Sequence, residues 1–192
     1  MIEKSGNKST IATFVIYNLP NRECGATKPH GNLSNDKKGE KEYKTFIDNI
    51  RTALAACDEV PVALIIEPEA ITNLIEYKND KKCDASVPVY KRLITYAIKT
   101  LDLPYVHLYL DGGNSGMLGL DDKIHDAAEI FTDIYKDAGS PTNLRGVRFP
   151  SPTQLSQLIA MLMRKFSSRS TSEETVNGHL TSAQSPQTSM RL

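Results

Sequence analysis

Short apolar runs alternate along the chain with longer stretches in which apolar residues recur every three or four positions. Ile11 to Leu19, with Phe14, Val15, Ile16 and Tyr17 at its heart, predicts a strand. From Glu40 to Cys57, the residues Tyr43, Phe46, Ile47, Ile50, Leu54 and Cys57 form one stripe, so a helix is expected with that face on a core. Val62 to Ile66 is the β-branched run of a strand buried on both faces. Pro68 cannot donate to a sheet ladder and ends that strand near Glu67, and Ala70 to Tyr77 reads as a short helix. Pro88 opens another helix, with Leu93, Ile94, Ala97, Ile98 and Leu101 on its stripe, and Leu103-Pro104 breaks it. Val106 to Leu110 predicts a third strand, Ile124 to Lys136 a further amphipathic helix, and Leu144 to Phe149 a fourth strand.

Four alternations of strand and helix define an α/β chain with parallel strands and crossover helices, either an open sheet or part of a barrel. Parallel strands share an end, so the loops Asn18–Ser34, Glu67–Glu69 and Asp111–Gly119 should open on one face. Residues 1–10 read as a disordered lead. Beyond 150 one amphipathic helix is expected over 153–166, from Leu155, Leu158, Ile159, Leu162, Met163 and Phe166, and then disorder in a stretch rich in Ser, Thr and Gln.

Composition narrows the functional classes. Lys+Arg and Asp+Glu are both 23, so no global field draws nucleic acid or an anionic membrane. No apolar run approaches the roughly 20 residues of a membrane span. The three cysteines, Cys24, Cys57 and Cys83, form no Cys-x-x-Cys pair, and no histidine stands at zinc-finger spacing, so no metal site is expected. An odd count fits one disulfide plus one buried thiol, and Cys57, on a helical stripe, is the natural odd one out. The turn Asp111-Gly112-Gly113-Asn114-Ser115-Gly116 follows a strand, yet has neither a Walker lysine nor dinucleotide glycine spacing, so a nucleotide cofactor is not expected.

Glu67 and Glu69 stand where a strand hands over to a helix, the edge at which β/α barrels place catalytic groups. Three pieces then combine: Tyr17-Asn18-Leu19-Pro20-Asn21-Arg22-Glu23-Cys24, Ile66-Glu67-Pro68-Glu69, and Tyr109-Leu110-Asp111-Gly112-Gly113. With Leu103-Pro104-Tyr105-Val106 and Ser140-Pro141-Thr142-Asn143-Leu144-Arg145-Gly146, in that order and spacing, they resemble glycoside hydrolase family six, the fungal cellobiohydrolase II type. The likeness runs from about Phe14 to Val147 and fades beyond.

The resemblance implies a partial, distorted parallel β/α barrel (TIM-like) over 11–149, followed by a tail outside the family pattern. It implies an extracellular, monomeric glycosidase that hydrolyses β-1,4-glucan or cello-oligosaccharide with inversion and without a cofactor. The alternative is a non-catalytic carbohydrate-binding remnant, or truncated product, of such an enzyme. Glu69 matches the family's proton donor and Glu23 its supporting acid. Tyr17, Arg22, Asp111, Asn114 and Met117 match substrate-lining positions, and Cys24 and Cys83 match the halves of a disulfide. An inverting glycosidase needs one carboxylic acid for the leaving oxygen and a base for water, with carboxyls about 6.5–9.5 Å apart. A second carboxylate beside the donor helps to keep it protonated, which is the use of Glu23 if the loops meet. At both positions the family carries Asp where this chain carries Glu, and the chain has no Trp to act as a sugar platform.

Overall fold

Four parallel strands lie in chain order across one sheet: β1 (Ala12–Ile16), β2 (Val62–Ile66), β3 (Val106–Asp111) and β4 (Leu144–Arg148). Among the described residues four helices connect them: α1 (Lys37–Ala55), α2 (Ala70–Glu76), α3 (Ser86–Leu101) and α4 (Asp121–Asp137). The computed structural model describes residues 11–25, 31–77, 80, 81, 83–113 and 121–148. The expectations for 1–10, for Asn114 and Met117, and for the tail beyond 150 lie outside the described residues.

The sheet is packed from one side. Val62, Leu64, Ile66, Val106, Leu108 and Leu110 are buried, while the alternate residues Ala63, Ile65, His107 and Tyr109 are half-buried. α3 lies over β2 and β3 and is flanked by α1 and α4. Val62 to Ile66 is therefore not covered on both faces as its composition suggests. β1 departs further: Phe14 is 43 % exposed and Val15 54 %, because β1 pairs with β2 alone among the described residues.

α1 begins at Lys37, three residues before the apolar stripe predicts. Asp36 caps it, accepting hydrogen bonds from the Gly39 N–H and the Ser34 hydroxyl at 2.8 Å each. Those bonds hold the Asp36 carboxyl below the usual range, with the Gly39 amide as the main cause. The stripe is otherwise as expected, with Tyr43, Ile47 and Leu54 buried. Cys57 lies past the helix end, where its N–H closes a turn on the Leu54 carbonyl, and it is a half-buried free thiol rather than a core residue.

β4 contains an irregularity that matters for the rim. Leu108 pairs with Leu144, but Tyr109 pairs with Gly146, so Arg145 is an extra residue on that strand. The slip brings Arg148, rather than Val147, level with Asp111.

Candidate active site

In the last shared row of the sheet Ile16, Ile66, Leu110 and Val147 stand side by side. The next residues along these strands are Tyr17, Glu67, Asp111 and Arg148, so one rim gathers groups from all four. Hydrogen bonding continues onto it, since the Glu67 N–H donates to the Ile16 carbonyl at 2.8 Å.

Tyr17 begins an arm, residues 17–25, that folds back over the rim. Its hydroxyl donates to Glu23 Oε1 at 2.9 Å. The Arg22 guanidinium lies 3.9 Å from the centroid of the Tyr17 ring and donates to the Tyr17 carbonyl at 3.3 Å. Burial, the bond to Glu23 and the Glu23 charge push the Tyr17 phenol up to about 12; Arg22 opposes this and the charge of Glu69 adds to it. Tyr17 thus bonds Glu23 directly and also feels the more distant charge of Glu69.

The outer end of the arm is fastened to α3. Tyr90 donates to the Asn21 carbonyl at 2.8 Å, the Asn21 amide nitrogen donates to Ser86 Oγ at 2.9 Å, and Cys24 is disulfide-bonded to Cys83 just ahead of that helix. The pairing implied by the resemblance is present.

Glu67 was legible only as one of two acids at the strand end, yet it is the most enclosed carboxylate of the rim, 1 % exposed. Its Oε1 accepts from the Tyr43 hydroxyl at 2.9 Å and from the Asn18 N–H at 3.0 Å. Its Oε2 accepts from the Asn18 N–H at 3.1 Å and the Leu19 N–H at 3.3 Å. Burial raises its pKa to about 7, against the opposing pull of those donors and of Arg22. No sequence pattern signals this, because the partners lie 24, 48 and 49 residues away.

Glu69 is exposed and stands at the head of α2 with φ 61°. Asp111, 3 % exposed, holds it from behind: Asp111 Oδ1 accepts from the Glu69 N–H at 3.1 Å and from the Gly113 N–H at 2.8 Å. Asp111 Oδ2 accepts from Arg148 at 3.1 Å. Both Asp111 oxygens are therefore engaged within the protein. Gly113 has φ +73°, and a Cβ there would stand 1.6 Å from Thr72 Oγ1, so only glycine closes this turn. Asn21, Glu23, Glu67 and Glu69 also have positive φ, between 46° and 61°. Left-handed backbone at non-glycine residues costs on the order of 1–3 kcal/mol each, and such residues gather at functional sites.

Among the described residues no group of His, Cys, Asp and Glu has the arrangement of a metal site, and no helix is long and apolar enough to cross a membrane.

The sequence profile of glycosyl hydrolases family 6 matches residues 1–151. The 1,4-beta-D-glucan cellobiohydrolase CEL6A of Podospora anserina is 43 % identical over 134 residues, 70 % of this chain and 28 % of that protein. Exoglucanase-6A of Humicola insolens is 38 % identical over 145 residues, 76 % of this chain and 30 % of that protein. Among solved structures, cellobiohydrolase II (CEL6A) from Humicola insolens in complex with glucose and cellotetraose superimposes with TM-score 0.69 at 39 % identity, covering 72 % of this chain and 39 % of that one. Endoglucanase CEL6B from Humicola insolens gives TM-score 0.73 at 30 % identity, over 82 % of this chain and 52 % of that one. The chain belongs to glycosyl hydrolases family 6. It spans about a third of the length of the curated relatives it matches, and its four-stranded sheet corresponds to part of the family's distorted β/α barrel.

Proposed function

We infer that this chain carries the proton-donating part of a β-1,4-glucan hydrolase site, with Glu69 as the general acid and Glu23 as its partner. The observation that supports this most is the exposed placement of Glu69 at the head of α2, on the rim that also carries Tyr17 and its partner Glu23. Glu23 bonds to Tyr17, Glu69 acts on the same hydroxyl through space, and Glu69 alone of the strand-end acids at β2 and β3 is presented outward. Family membership and a neighbour solved with cellotetraose make a cello-oligosaccharide the natural substrate. In an inverting reaction Glu69 protonates the leaving glycosidic oxygen while a base activates water on the opposite sugar face.

Tyr17 offers the sugar the edge and outer side of its ring, since Arg22 covers one face. Asp111 serves the substrate indirectly, by fixing the backbone from which Glu69 projects. Asn114 and Met117 complete the proposed lining from the Gly-rich turn. The Cys24–Cys83 bridge fits an oxidising, extracellular setting.

The test is hydrolysis of soluble cello-oligosaccharides by the wild-type chain and by Glu69→Gln. The expected loss is about 10²–10⁴-fold, the usual worth of a positioned general acid. Equal rates for the two proteins would sink the assignment. A second reading, sugar binding without turnover, is favoured by Glu in place of Asp at 69 and 23: a shift of about 1 Å in a reacting group can cost on the order of 100-fold. Calorimetric titration with cellotetraose separates it, through heat of binding in a chain that releases no product.

A further inference from the structure

Two carboxylates stand two residues apart on either side of Pro68, and only the outer one has a place in the reading above. The inner one joins three elements. Glu67 belongs to the end of β2, Tyr43 to α1, and Asn18 and Leu19 to the root of the arm. The arm's far end, with Glu23 beside Cys24, is tied to α3 by the disulfide and by Tyr90, while Tyr17 stands at its root, where residues 18 and 19 donate to Glu67, and reaches Glu23 through its hydroxyl. The Asn18 and Leu19 bonds to this buried carboxylate therefore set where Tyr17 lies relative to the turn that presents Glu69, and the Tyr17 hydroxyl extends that placement to the Glu23 carboxyl.

We propose that Glu67 is a positioning residue for the acid pair: its carboxylate clamps the arm carrying Tyr17 and Glu23 onto the turn carrying Glu69, and releasing it lets the two acids separate. Its meaning for catalysis rests on the reading of Glu69 as the acid, whereas the clamp itself can be tested without sugar.

The charged and titratable groups that face Glu67 are Arg22 from the arm, Tyr43 from α1 and Tyr90 from α3. Burial outweighs the donors and Arg22, so the carboxyl keeps its proton up to about pH 7. Ionised, it accepts from the Tyr43 hydroxyl and from the Asn18 and Leu19 N–H groups, and each of these bonds favours the charged form. Protonation weakens the two amide bonds and makes the Tyr43 hydroxyl turn to accept. The clamp is thus tightest once the carboxyl has lost its proton, above about pH 7, and slackens below it.

The experiment is a pH titration of the full chain by NMR. It follows the carboxyl carbons of Glu23, Glu67 and Glu69 and the backbone amides of Asn18 and Leu19. In the wild type, the amides of Asn18 and Leu19 and the Glu23 carboxyl should show a common midpoint near 7, matching the Glu67 carboxyl. In Glu67→Gln that midpoint should vanish from all of them. If Asn18, Leu19 and Glu23 titrate as in the wild type once Glu67 is gone, the clamp is wrong. Tyr43→Phe is the second variant, informative even where Glu67→Gln fails to fold. It removes a bond that favours the charged form, so the common midpoint should move to higher pH. A Tyr43→Phe midpoint that moves at Glu67 while Asn18, Leu19 and Glu23 stay unchanged also overturns the proposal. Absence of sugar release by the wild type bears on Glu69 as the acid, and leaves this coupling to be decided by its own signals.

Discussion

At the residue scale, Glu67 and Glu69 show how little of a side chain's chemistry is set by its type. One is enclosed by α1, the arm and β2, and the other projects from the head of α2. The raised pKa of Glu67 has a consequence for stability. An unfolded glutamate titrates near 4.5 and this one near 7, so between those values the folded chain binds the proton more tightly. That contribution is complete below about pH 4.5 and is lost as pH rises through about 7. The loss is on the order of 3 kcal/mol, at about 1.4 kcal/mol per unit. Urea midpoints measured from pH 4 to 8 should fall over that window, and Glu67→Gln should flatten the fall. Tyr43→Phe should cost about 1–3 kcal/mol at pH 8, where it leaves a buried charge short of a donor. The motif Ile66-Glu67-Pro68-Glu69 was readable as a strand end bearing acids. Which acid is swallowed was not, because that depends on a tyrosine 24 residues back and on amides of another loop.

At the scale of elements, the periodicities located the four strands and four helices of the described residues, and the ends moved for local reasons. Asp36 pulled the start of α1 forward by capping it, a signal present in the sequence but weaker than the apolar stripe. The extra residue in β4 left no such trace: Asn143-Leu144-Arg145-Gly146 reads as an ordinary strand start, and only pairing with β3 reveals the slip that delivers Arg148 to Asp111. The Gly113 turn supplies a prediction at this scale. Gly113→Ala meets both a positive φ and the Thr72 hydroxyl, so a loss of more than about 1 kcal/mol is expected by thermal denaturation. Adding Thr72→Ala should restore the part due to the clash and leave the part due to φ. The Cys24–Cys83 bridge spans 59 residues of chain, so Cys24→Ser should cost about 2–5 kcal/mol and free the arm. Comparing denaturation with and without reductant measures this, because Cys57 is the sole other cysteine of the chain.

For the molecule as a whole, the helices cover one face of the sheet while the other stays half open, and β1 pairs on one side among the described residues. The apolar run at Phe14 and Val15 predicted a strand correctly, but composition could not tell an interior strand from one whose cover is incomplete. An open, apolar strand edge invites association. Val15→Lys should therefore raise the concentration at which the chain stays monomeric in light scattering, with less than about 0.5 kcal/mol change in stability. The left-handed backbone at Glu23 and Glu69 has a consequence of a different kind. A library of this chain propagated only for survival of heat should drift toward glycine or asparagine at 23 and 69, gaining about 1 kcal/mol at each. One propagated for growth on glucan should hold its acids there, and the divergence of the two lineages would record how much fitness the rim trades against robustness.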